Sequence, residues 1–415
     1  MVRQMQWLNA ISQRPSLEAA VGEVTDRIKE SLTGTADLGI VFISSAYASE
    51  YSRLIPLILE RLPIDNIIGC GGGGVIGTTI DDRALEIEDS PALSLTVAHL
   101  PDVDLQPFHI VEADLPDLDS PPAAWIDLVG IPPEKQPHFI LLAEPFASKV
   151  NDLLQGLDFT YSGSLKIGGL ASSTASTANH GLFYYDRRQP NADRLRQRGT
   201  VGIGLSGNII VDSIVAQGCR PIGSPLQVIE SDRNVILSAV APDRNESQSP
   251  LDILRNLIED LSREDRELVQ NSLFIGIARD EFKLSLQQGD FLIRNLLGVE
   301  PRSGAMAIGD RIRPGQRIQF HLRDAKSSAE DLQILLEEYQ GRSFDSSPIG
   351  ALLFSCLGRG ERLYRKPNFD SQLLQTYLTS IPIGGFFCNG EIGPVGSNTF
   401  LHGYTSAFAI FRSQK

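Results

Sequence analysis

Two short polar stretches late in the chain hold the densest set of groups able to do chemistry. Cys356-Leu357-Gly358-Arg359-Gly360 supplies a thiol and a cation, and residues 384–394 supply Cys388, Asn389, Gly390 and Glu391. Each stretch follows an apolar run that fits a buried strand. Between them, residues 367–380 place Leu373, Leu374, Tyr377 and Leu378 on one helical face. The unit reads as strand, glycine turn, helix, strand, glycine turn. Two such turns fall on the same edge of a parallel sheet, where open α/β sheets bind ligands. An arginine, a carboxylate, an amide and bare glycine backbone suit a small polar molecule. An amino acid would place its carboxylate on Arg359 and its amine on Glu391. The bland alternative is that these two side chains pair with each other or face solvent.

Other residues invite similar weighing. Arg220, fixed before Pro221, has the geometry to hold a carboxylate bidentately, or to make an ordinary salt bridge. Arg294 interrupts an apolar strand and points either to solvent or into a crevice. The glycine run 69–77 contains GxGxxG twice, and Gly71 and Gly72 would offer backbone N–H groups to an anion. A dinucleotide fingerprint needs a helix to follow, but residues 78–90 are β-branched, acidic and ended by Pro91. A tight turn or bulge explains the glycines equally well. Cys356 and Cys388 would be nucleophiles only with a base in reach, and His402 is the nearest in sequence. Buried, apolar thiols are the commoner case. A cysteine- or carboxylate-dependent hydrolase or transferase acting on a small amide or ester is thus the second reading, and a protein–protein adaptor the third. No catalytic residue is assigned.

Composition limits the rest. The chain has 415 residues, 42% hydrophobic and 21% charged, with a net charge of −14. That length implies more than one core. The acidic balance argues against a nucleic-acid partner and against docking on anionic lipid. No apolar run is long enough for membrane insertion, and residues 1–7 lack a signal-peptide core. Four scattered cysteines and six histidines show no zinc or disulfide spacing, so reduced thiols in the cytoplasm, without metal or cofactor, are expected.

These sites must be positioned by repeated elements. Strand–helix–strand order occurs three times, ending at Ile68-Gly69-Cys70, Ile167-Gly168-Gly169 and Ile383-Gly384-Gly385. Gly74-Val75-Ile76-Gly77 also echoes Gly390-Glu391-Ile392-Gly393. The fold class expected is α/β, two related halves built from duplicated modules with additional antiparallel strands. Residues 241–249 are polar and mark the boundary, giving domains 1–240 and 241–415. Alternation over 200–217 predicts a hairpin turning at 206–208. Ser328 and Asp331 predict a capping box. Residues 171–178, rich in Ser, Thr and Ala, read as a ligand-covering loop.

Several of these motifs, in order, resemble the FIST proteins (F-box and intracellular signal transduction proteins). They are Ile68-Gly69-Cys70 with its glycine run, residues 217–223, residues 291–295 and residues 384–394; residues 291–338 resemble the prokaryotic version. The resemblance spans roughly residues 16–411. It implies a FIST N-terminal and a FIST C-terminal domain, and a sensory module binding small ligands such as amino acids. The chain leaves no room for an output domain, so a stand-alone protein is expected, with a separate signalling protein as its partner.

Overall fold

The computed structural model describes residues 4–173, 180–242, 244, 246–287, 289–379 and 381–414. The expected loop at 171–178 therefore lies largely outside the described residues. Two compact units appear: residues 1–215 with 335–415, and residues 216–334. The expected division at 240/241 falls inside the second unit.

The first unit is one module made three times. Module one runs β1 (Gln6–Ser12), α1 (Leu17–Ser31), β2 (Leu38–Ser44), α2 (Tyr51–Arg61), β3 (Asn66–Gly72), β4 (Gly74–Thr78), β5 (Ala84–Glu88) and β6 (Leu93–His99). Module two repeats that order as β7 (Val103–Ile110), α3 (Pro122–Val129), β8 (His138–Ala143), α4 (Val150–Thr160), β9 (Lys166–Leu170), β10 (Leu182–Asp186), β11 (Leu195–Arg196) and β12 (Thr200–Gly207). Module three begins at β13 (Ile210–Ala216) and is then interrupted by the whole second unit. That unit holds β14 (Cys219–Asp232), β15 (Val235–Val240), α5 (Pro250–Asp260), α6 (Arg263–Val269), β16 (Leu273–Ala278), β17 (Phe291–Val299), β18 (Met306–Ile308) and β19 (Arg317–Arg323). Its strands close into a barrel in the order β14-β15-β18-β17-β16-β19 around Val228, Ile236, Ile275, Met306 and Ile318. Module three resumes with α7 (Ala325–Gln340), β20 (Pro348–Cys356), α8 (Gly360–Tyr364), α9 (Phe369–Tyr377), β21 (Ile383–Cys388), β22 (Glu391–Val395), β23 (Asn398–His402) and β24 (Ser406–Arg412).

Each module forms four strands of a six-stranded sheet and borrows the other two. The orders are β1-β6-β2-β3-β10-β11, β7-β12-β8-β9-β22-β23 and β13-β24-β20-β21-β4-β5. After its parallel pair, module one sends β4–β5 to module three. Module three sends β22–β23 to module two, and module two sends β10–β11 to module one. Parallel sheets need both faces covered, hence the unbroken apolar runs such as residues 38–43. One face of all three sheets meets a shared core that includes Phe42, Ile140, Phe354 and Phe386. The other faces carry their own helices, α1 and α2 on the first sheet and α3 and α4 on the second. Helix α1 shows how local sequence serves this. Ser16 caps its first turn by accepting the Ala19 N–H, and Leu17, Ala20, Val21, Val24 and Ile28 form its buried stripe.

The registers show which positions are equivalent. Gly69 lies opposite Val41 and Phe183, Gly168 opposite Leu141 and Ile392, and Gly385 opposite Leu353 and Ile76. Residues 67–77 thus correspond to 383–393, and Gly385 rather than Gly384 matches Gly69. Glycine is required because a Cβ would stand 2.1, 1.8 and 2.0 Å from the carbonyl oxygens of Val41, Leu141 and Leu353. Two local expectations differ from the structure. β12 and β13 are strands, but β12 pairs with β7 and β8 while β13 joins β24, so no hairpin forms. Ser328 does not cap α7: its hydroxyl is buried and donates to the Gly218 carbonyl, while Asp324 accepts the Ser327 N–H.

Gly69→Ala, Gly168→Ala and Gly385→Ala should each destabilise the first unit by upward of about 2 kcal/mol. Gly403→Ala, where a Cβ meets nothing within 4 Å, should change stability by less than about 0.5 kcal/mol. Urea unfolding of the four variants checks this, and equal midpoints would contradict the three-fold argument.

Candidate functional site

Past the ends of β20 and β21 the chain buries a set of ions. The turn after β20 carries Arg359, and α9 carries Asp370; their side chains are 0% and 1% exposed. The pair is bidentate, Nε to Oδ2 at 2.8 Å and Nη2 to Oδ1 at 3.0 Å. Arg359 also donates to the Tyr364 hydroxyl, and Ser355 and Ser406 donate to Asp370 Oδ2. Glu86 reaches the cluster from β5, the strand lent by module one. Its Oε1 accepts the Ser371 N–H at 2.7 Å, and its buried Oε2 has no hydrogen-bond partner among the described residues. Glu391, at the start of β22, is fully buried and accepts the Thr405 N–H at 3.0 Å. The Cys356 thiol also hydrogen-bonds to it.

Asp370 pairs with the guanidinium, Glu391 feels its charge and Glu86 feels that of Asp370, and burial decides which carboxyls keep protons. Burial pushes Glu86 up to about 8, helped by the charge of Asp370. Burial likewise pushes Glu391 up to about 8, against the opposing pull of the Thr405 N–H and of Arg359. Burial also acts on Asp370, but the charge and hydrogen bonds of Arg359 outweigh it and hold Asp370 below the usual carboxylate range. The ground state near neutrality is one ion pair beside two protonated carboxyls.

The three-fold repeat supplies an internal comparison. Asp370 lies fifteen residues before its strand glycine, and the same count gives Leu54 and Leu153, both buried on α2 and α4. Glu86 lies opposite Ile76 as Leu195 lies opposite Phe183 and Leu401 opposite Ile392. Glu391 corresponds to Val75 and Leu182. These three positions are therefore filled twice with apolar side chains and once with carboxyl groups.

The other sequence candidates fall elsewhere or are already engaged. Asn389 is exposed, and Gly390 gives its carbonyl to the Leu170 N–H. The Gly71 N–H is taken by the Gly181 carbonyl and Gly72 is buried against Phe386, so neither offers backbone to an anion. Arg220 and Arg294 belong to the second unit, where Arg220 pairs with Asp265 and Asp324 and Arg294 with Asp310. Burial pushes the Cys388 and Cys70 thiols well up. His402 Nε2 is bound to the Gly393 carbonyl at 3.0 Å. Among the described residues no group of three His, Cys, Asp or Glu side chains suits a metal. Sequence reading missed Asp370 and Glu86. Asp370 was recoverable, since it falls four residues before Leu374 on the buried helix face. Glu86 was not, because Leu85-Glu86-Ile87-Glu88 reads as a strand with its acids outward.

Residues 37–238 match the FIST N domain and residues 250–394 the FIST C domain. The chain belongs to the FIST family. An uncharacterised Mycobacterium tuberculosis protein is 31% identical over 405 residues, 97% of this chain and 98% of that one. A Mycobacterium bovis protein, also uncharacterised, is 31% identical over 398 residues, 96% of each. The human F-box only protein 22 is 26% identical over 115 residues, 23% of this chain and 28% of that one. The two mycobacterial relatives, which the chain matches almost end to end, agree with a stand-alone prokaryotic type of FIST protein.

Glu86 and Glu391 bind more protons folded than unfolded between about pH 4.5 and 8, so stability should fall as pH rises through that window. The limit is about 1.4 kcal/mol per pH unit for each group. Urea unfolding at pH 6 and pH 9 should show the loss in the native protein and much less in the Glu86→Gln/Glu391→Gln double variant. A native protein no less stable at pH 9 would remove the protonated pair.

Proposed function

We propose that this FIST protein is a cytoplasmic small-ligand sensor whose ligand is a polar metabolite bearing an amine, such as an amino acid. The observation that carries the reading is the buried cluster whose three carboxyls stand at positions where the other two modules hold leucine or valine. An apolar filling demonstrably fits this backbone, and a buried ion set is rarely the more stable choice. The cluster is therefore retained for something other than stability. Three carboxyls facing one arginine favour a cation. An incoming ammonium group would replace the protons on Glu391 and Glu86, while Arg359 stays with Asp370. A ligand carboxylate would gain less, because the guanidinium is already engaged.

The hydrolase or transferase reading has weaker support. A thiol nucleophile needs a lowered pKa and a free base, and here burial raises Cys388 while His402 holds a backbone carbonyl. A role with a protein partner has one observation of its own. In the second unit Phe282 and Leu284 are almost fully exposed, as an output surface of a sensor would be.

Thermal unfolding with a panel of amino acids, amines and carboxylates tests the reading. Amine-bearing compounds should raise Tm with release of protons, and Glu391→Gln should weaken that binding by about 2–5 kcal/mol. Stabilisation by carboxylates alone, or binding indifferent to Glu391→Gln, would overturn it. The thiol alternative is tested separately with iodoacetamide at pH 8. Cys70 and Cys388 should react only after denaturation, and rapid native alkylation of Cys388 would revive the enzyme.

A further inference from the structure

A second polar site differs from the ionic cluster in character. The start of the chain, the turn before β2 and the end of β6 line a half-open cavity of about 270 Å³, with Gln4, Thr33, Gly34, Thr35 and His99 on its walls. His99 is 4% exposed, so nearly all of its ring is enclosed. Its Nδ1 faces three oxygens: Asp37 Oδ2 at 3.0 Å, the Thr35 carbonyl at 3.1 Å and the Thr35 hydroxyl at 3.2 Å. A carboxylate and a carbonyl both accept, so the proton belongs on Nδ1. Asp37 is itself fixed, accepting the Thr35 hydroxyl at 2.6 Å and the Leu100 N–H at 2.7 Å. The ring lies flat against Gly34, where a Cβ would come within 2.3 Å of it. Position, tautomer and rotation of the imidazole are all determined, and Nε2 is left as an acceptor with no protein donor among the described residues.

We infer that this cavity is a binding site for a small, neutral, hydroxyl-rich molecule of the polyol or sugar class, with His99 Nε2 accepting a ligand hydroxyl. Three features select that class. The fixed acceptor calls for a donor on the ligand. The Thr33 and Thr35 hydroxyls and the Gln4 amide can both give and take hydrogen bonds, as vicinal hydroxyls require. Asp37 places a carboxylate behind the imidazole, which disfavours anions. The available volume suits a molecule of six or so heavy atoms to a monosaccharide.

The test uses the full chain labelled with ¹⁵N in its histidines. Two-bond spectra of the native protein should show His99 protonated at Nδ1. Titration with glucose and with myo-inositol should shift the His99 Nε2 resonance saturably for at least one of them. Acetate at equal concentration should not shift it. Asp37→Asn removes the carboxylate that fixes the tautomer and should weaken the sugar-dependent shift by tenfold or more. The native titration stands by itself if that variant folds poorly. A proton on Nε2, no saturable shift with either probe, or an equal response to acetate would overturn the inference.

Discussion

No module of the first unit can finish its own sheet. The second strand of each parallel pair, β3, β9 or β21, takes its outer hydrogen bonds from a strand lent by another module. Because the lending is cyclic, each sheet depends on the next and the last depends on the first. An unpaired strand edge is costly when buried, so the three modules must stand together or not at all. The strand glycines follow from this. At Gly69, Gly168 and Gly385 the strand sits between a parallel and an antiparallel neighbour so closely that a Cβ would strike a carbonyl. Runs that look like a cofactor fingerprint from the sequence are used up in making three strand crossings.

The same geometry explains why a polar cluster can be buried in the first unit. Glu86 comes from module one, yet faces Asp370 and Ser371 of module three because β5 has crossed over. Glu391 belongs to module three by sequence and to the second sheet by pairing, and reaches back through Thr405. Strand exchange thus brings carboxyls from distant sequence to one buried ion pair, Arg359–Asp370, each with a hydrogen-bonding backbone group beside it. An isolated charge in this place would neutralise, and two of the three acids do so by holding a proton. What remains is an arrangement poised between proton and cation, which is the property a sensor of amines would need.

Much of this was legible in the sequence, for identifiable reasons. Strand and helix positions followed from period and from caps such as Ser16. The three-fold occurrence of the module followed from its glycines, and Arg359 and Glu391 were found because polar residues stood directly after apolar strands. Pairing partners were not legible. The hairpin expected over 200–217 fails because β12 and β13, though adjacent in sequence, end one sheet's work and begin another's. Arg359 was expected to meet a ligand carboxylate, but Asp370 meets it first; the sequence showed an acid on an apolar helix face without showing which cation lay above it. Glu86 was hidden by an alternation that places acids outward on an ordinary edge strand. In a borrowed strand the solvent side of one module becomes the interior of another.

The inserted second unit fits the same logic. In modules one and two the lead strand passes to its helix through a short surface connection, residues 13–16 and 111–121. In module three the equivalent connection holds a barrel with its own core, Val228 to Leu322. A self-folding insert costs little if its ends already lie near each other, since loop-closure entropy grows only slowly with length. The cost appears in time rather than in stability. The first sheet uses strands from residues 6–99 and 182–196, but the second needs β22 and β23, and the third needs β20, β21 and β24, all beyond the barrel. Two of the three sheets therefore wait for the last quarter of the chain, and until it arrives β4 has only β5 beside it and β9 only β8. Long-range pairing of this kind folds slowly and leaves strand edges exposed meanwhile. The arrangement that assembles Arg359, Asp370, Glu86 and Glu391 is consequently among the last parts of the protein to form, because the residues that complete it come from both ends of the chain.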